Sequence, residues 1–162
     1  MRMPSRSVEL DDIISGQILG DDPEVIALVL KIHLALEALI IELIQTKESS
    51  DRTYKLSFPD KTKRLLSLNV ITSDEKLAFD AFNDFRNDYA HIFGHSVPLS
   101  SLLKLARDLE GYGIEFSDSA GRLSEEKAQE YYGYLGLLEE VGWCILFHAA
   151  HLLMDQGGRN IF

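Results

Sequence analysis

Apolar residues return every three or four positions along most of this chain, and no stretch sustains apolar–polar alternation, so the pattern predicts helices and no strands. The run from Pro23 to about Lys47 is apolar around most of its circumference, which predicts a helix lying centrally in a bundle. Asp22-Pro23 supplies its N-cap and first turn, and Glu48-Ser49-Ser50-Asp51 ends it. A short helix starts at Phe58-Pro59-Asp60 and runs to about Leu68. Thr72-Ser73-Asp74-Glu75 opens a long helix reaching about Phe93, before Gly94 and Pro98. Pro98-Leu99-Ser100 begins another to about Glu110, ended by Gly111 and Gly113, and Ile114 to Leu123 reads as a connecting loop. Ser124-Glu125-Glu126 caps a final segment to about Asp155, in which Gly133, Gly136 and Gly142 mark breaks or close helix contacts. The expectation is an all-α protein with one domain over residues 1–162, an up-and-down bundle of four to five main helices. Residues 1–20 read as an N-terminal lead-in and 156–162 as a flexible tail.

Composition narrows the function classes. A chain of 162 residues can bury one substantial core. Its formal net charge of −10 argues against a strongly cationic binder of nucleic acid or membrane, although a local basic patch can act inside an acidic envelope. No helix-turn-helix with a basic recognition helix is evident, so direct DNA binding is not expected. The single cysteine, Cys144, forms no internal disulfide, reads as buried and inert between Trp143 and Ile145, and points to a reducing cytoplasm. The N-terminus lacks the apolar core of a signal peptide. Val25–Ile44 carries Lys31, His33, Glu37 and Glu42, and Trp143–Met154 reads as too short to span a bilayer, so a soluble chain with no membrane partner is expected. Phosphate-cradling glycine loops, nucleophile elbows and zinc-finger spacings are lacking, and no metal or cofactor is expected.

The chemistry concentrates in Leu77–His95, LAFDAFNDFRNDYAHIFGH. At 100° per residue, Phe82, Phe85, Tyr89, Ile92 and Phe93 share one side, while Asn83, Asn87, His91 and His95, spaced by four, form a polar stripe roughly opposite. Arg86 flanks the core face, about 140° from His91. Such an arginine must reach around, or a second helix or subunit must complete the site. Glu37, in the apolar first helix, needs a partner if buried, and Arg86 is the cation nominated for it; a pair with Asp80 or an exposed Glu37 are the alternatives.

Arg86-Asn87-Asp88-Tyr89-Ala90-His91 resembles the signature of the HEPN superfamily, an arginine and a histidine separated by four residues with a polar residue after the arginine. Together with Leu34-Ala35-Leu36-Glu37-Ala38-Leu39 in the early helix, it makes the chain most similar to the mannitol-operon-repressor-like proteins, over roughly Pro23–His95. The resemblance implies a helical bundle that forms a homodimer through the motif-helix face. It also implies metal-independent cleavage or binding of RNA, often as a toxin with a cognate antitoxin, or else a non-catalytic module that works through protein partners. Arg86, Asn87 and His91 would then be the catalytic set, supported by Glu37, Asn83 and His95. A guanidinium holds a phosphate bidentately, and a histidine titrating near neutrality moves the proton of a ribose 2′-hydroxyl.

The remaining candidates have plainer readings. Between Asp51 and Arg64 stand five basic and two acidic residues, of which Lys55, Lys61, Lys63 and Arg64 are candidates for contacting an RNA backbone; a solvated face is the alternative. His91 and His95 at i and i+4 match a metal clamp in spacing, but no second ligand cluster supports one. His33, His148 and His151 read as core or interface histidines, and Tyr131, Tyr132 and Tyr134 as packing groups.

Overall fold

The computed structural model describes residues 23–90 and 97–162, and among them every regular element is helical. Six α-helices follow in order: α1 (Pro23–Gln45), α2 (Phe58–Ser67), α3 (Ser73–Ala90), α4 (Leu99–Gly111), α5 (Glu125–Tyr131) and α6 (Gly133–Asp155). Two short 3-10 turns, Asp51–Lys55 and Ala120–Arg122, lie in the connections. The four longer helices close a ring in which α1 packs on α3, α3 on α4, α4 on α6 and α6 back on α1; α2 bridges α1 and α3, and α5 bridges α4 and α6. Leu36, Ile40, Phe79, Phe82, Leu102, Leu138 and Ile145 are buried completely at its centre.

Local chemistry sets the ends. Ser57 caps α2 by accepting from the Asp60 amide at 3.2 Å. Thr72 and Glu75 form a reciprocal capping box at the start of α3: the Glu75 amide donates to Thr72 Oγ1 at 3.1 Å and the Thr72 amide to Glu75 Oε2 at 2.7 Å. The other oxygen of Glu75 accepts from His148 Nε2 at 2.8 Å, so one carboxylate caps α3 and ties it to α6. Gly113 and Gly157 take left-handed φ values of 92° and 80°, and each closes its helix with a pair of back-turned amide bonds, Gly113 to Glu110 and Ile114 to Leu109, Gly157 to Met154 and Gly158 to Leu153.

The C-terminal segment takes a definite form. Of the glycines expected to mark breaks or close contacts, Gly133 makes the break: it adopts φ 67° and separates α5 from α6. Beyond that break α6 runs 23 residues, so the apolar stretch is not short; by length and composition this helix could cross a membrane, and less than half of its apolar window is buried. In the tail, Arg159 forms a two-pronged ion pair with Glu42, and Phe162 packs against Trp143 and Phe147.

Gly142 is buried where α6 crosses α1. A Cβ there would lie 2.4 Å from Cδ1 and 2.9 Å from Cγ1 of Ile32, which is itself buried. Gly142→Ala gains about 1 kcal/mol of helix propensity but forces Ile32 out of its place, at a cost of roughly 1–3 kcal/mol. The expected outcome is a net loss of stability in urea denaturation, with part of it recovered when Ile32→Val removes Cδ1 in the same chain.

Candidate functional site

One seam between three helices gathers five polar side chains: His33 and Glu37 from α1, Lys61 from α2, Asn83 and Arg86 from α3. His33 and Glu37 stand one turn apart, so both face the same neighbours. His33 is buried, donates from Nε2 to Asn83 Oδ1 at 3.0 Å, and lies with its ring 4.9 Å from that of Phe58. Lys61 is 2% exposed; its ammonium donates to Glu37 Oε1 at 2.9 Å and to the Leu56 carbonyl at 2.6 Å.

The pair nominated from sequence, Glu37 with Arg86, does not form. α2 lies against α1 at this turn, and Lys61 takes the carboxylate instead. Asp80 is engaged as well, accepting from Thr62 Oγ1 at 2.7 Å and pairing with Lys76. Arg86 therefore has no ion pair among the described residues. It is half-buried, its Nη1 donates to Asn87 Oδ1 at 3.0 Å, and its Nε is buried without an acceptor. The outward side of α3 presents Asp80, Asp84 and Asp88. Burial, followed by the charges of Asp80 and Asp88, raises the Asp84 carboxyl above its usual value.

Asn83 is not on a polar face opposite the core. It stands 40° from Phe79 on the helical wheel and is buried with it, because α1 covers that side of α3. The basic group also divides. Lys61 is internal, and Arg64 forms a two-pronged pair with Glu48. Lys55 remains exposed, and Lys63 stands 3.9 Å from Asp60 at the surface. His91 and His95 lie outside the described residues. Among the described residues no cluster of His, Cys, Asp or Glu is arranged to hold a metal. Cys144 is half-buried, its thiol pushed up to about 12 chiefly by burial. Tyr131 is exposed, whereas Tyr132 and Tyr134 are partly buried.

Sequence reasoning missed two members of the seam as internal residues, and one carried a signal. Lys61 falls three residues after Phe58 and four before Leu65, on the apolar stripe of α2. The His33–Asn83 bond spans 50 positions, and neither residue announces the other.

No protein-family model, curated protein or solved structure matches the chain.

Burial lowers the His33 pKa, and the positive charges of Arg86 and Lys61 act the same way; its bond to Asn83 and the Glu37 charge oppose them only in part. The unfolded chain, with an ordinary histidine near 6.5, thus takes up this proton first. Stability contributed by neutral His33 is complete above that pH and is lost as pH falls through the folded-state value. Denaturation midpoints should therefore decline on acidification below about pH 6.5, and His33→Gln should flatten that limb. The Lys61–Glu37 pair sets a second expectation. Glu37→Gln strands a buried ammonium, whereas Lys61→Met strands a carboxylate that keeps 27% of its side chain exposed, so Glu37→Gln should destabilise more. Equal or reversed losses would show that Lys61 does not depend on Glu37.

Proposed function

We propose that this chain is a HEPN-type protein that binds RNA at Arg86, Asn87 and His91 and cleaves it without a metal. One observation supports the reading above the others: Arg86 is a half-buried guanidinium with no ion pair among the described residues, because Glu37 and Asp80 are both held by other groups. A partly desolvated cation gains from an anion with several acceptor oxygens, and a phosphodiester supplies the charge and the geometry. Asn87, bonded to Nη1, restricts the rotation of the guanidinium and leaves Nη2 for the phosphate.

In the reaction so proposed, His91 removes the proton of a ribose 2′-hydroxyl, the 2′-oxygen bonds to phosphorus, and the 5′-oxygen leaves with a proton. The products are a 2′,3′-cyclic phosphate and a 5′-hydroxyl, and Arg86 stabilises the charge that grows on the phosphoryl oxygens. The second reading, a non-catalytic module acting on protein partners, draws support from Asp80, Asp84 and Asp88, a run of carboxylates on the same helix whose charges repel a polyanion.

The deciding experiment incubates a mixed RNA pool with the full chain and EDTA. Cleavage is expected, with Arg86→Ala and His91→Ala each slowing it by about 100-fold or more while circular dichroism is unchanged. RNA retarded in a gel by wild type but not by Arg86→Ala, without cleavage, would leave binding alone. Neither cleavage nor retardation would end the RNA reading and favour the protein-interaction module.

A further inference from the structure

The face that α1 and α6 turn to solvent carries, with the tail, most of the exposed large apolar side chains among the described residues. Along α6 the outward positions include Trp143, 51% exposed, and Phe147, 41% exposed, with their rings stacked 5.4 Å apart. Phe162 of the tail joins them, 5.8 Å from Trp143 and 4.7 Å from Phe147, and is itself 53% exposed. On α1, Leu34 is 64% exposed, one turn below the exposed Ala38. Beside the aromatic ridge runs a groove of about 350 Å³, floored by the small residues Ala35 and Ala38 and walled by Trp143, Leu146 and Phe162. The charged residues lining it are Glu42 and Arg159, and these neutralise each other.

We infer that this face binds a second copy of the chain, as a two-fold dimer in which the aromatic ridge of each copy lies over the Ala35–Ala38 groove of the other. Three features select that occupant. Ridge and groove lie side by side on one patch, which is the self-complementarity a two-fold contact requires. The exposed parts of Leu34, Trp143, Phe147, Met154, Ile161 and Phe162 amount to on the order of 500 Å² of apolar surface. A dimer of ordinary size covers about 800 Å² per partner, roughly 65% of it apolar, which is the same amount. Finally, two copies of a chain with net charge −10 repel at most orientations, and a face whose charges are already paired lets them meet with the least like-charge contact. The contact sits on α1, α6 and the tail, away from Arg86 on α3, so it differs from the motif-helix dimer that the resemblance implies and is independent of the RNA reading.

Sedimentation equilibrium of the full chain from about 1 to 100 μM tests it, with two substitutions at exposed positions that leave the core intact. Wild type should sediment as a dimer with its Trp143 emission shifted to the blue as concentration rises. Trp143→Glu and Ala38→Lys should each raise the dissociation constant by about 100-fold. A monomer throughout that range overturns the inference. So does a dimer that neither substitution weakens, because its contact then lies elsewhere. Vesicles of phosphatidylcholine and phosphatidylglycerol form the third arm. A monomer that floats with them, and loses that binding in Trp143→Glu, assigns the face to a membrane and likewise overturns the dimer.

Discussion

The approach of α1 to α6 governs the architecture. Gly142 lets the two 23-residue helices come so near that Ile32 fills the space a side chain would take, and Val29, Leu36 and Ile40 of α1 are buried along the same helix. With α6 against one side, α1 is left with α2 and α3 on another and solvent on the third. This geometry decides where each of its polar residues goes. His33 and Glu37 face α2 and α3, Glu42 faces the tail, and Leu34, Ala35 and Ala38 face out. A helix apolar around most of its circumference is a central helix in sequence terms, yet here its small residues line an open groove.

The seam shows how one buried cation decides the state of another. Lys61 enters the interior with a flexible stem and a compact charge, and both a carboxylate and a carbonyl meet it there. Glu37 is consumed in that arrangement, so Arg86 has no counter-ion among the described residues, and its charge adds to burial in lowering the pKa of the neighbouring His33. Arg86 and Lys61 thus differ in role despite equal charge: the first has no ion pair among the described residues, whereas the second spends two of its three N–H donors on Glu37 and Leu56.

Most of the fold was legible in the chain because its signals are local. The helix starts at Thr72–Glu75 and at Phe58-Pro59-Asp60 and the stop at Gly113 act within a few residues and appear where the pattern places them. The left-handed turn at Gly133 was less legible, since glycine inside a helical pattern serves equally for a break or, as at Gly142, for a close contact. Of the site, Arg86 beside Asn87 on one helix was readable, and their bond follows from adjacency. The partners were not. Periodicity tells which side of α3 is apolar, but the width of the buried arc depends on how many helices cover it, and α1 draws Asn83 inside.

By itself, then, the sequence determined an all-helical chain, the starts of its first five helices, their main apolar faces and the presence of an arginine–asparagine pair on α3, since each depends on contacts within a turn or two. Tertiary structure alone decided that Glu37 belongs to Lys61 and not to Arg86, that His33 meets Asn83 across 50 positions, and that Trp143 and Phe147 stay at the surface. These outcomes turn on distances between elements, and side chains of like charge or like hydrophobicity compete for them on equal terms until packing fixes which one is near.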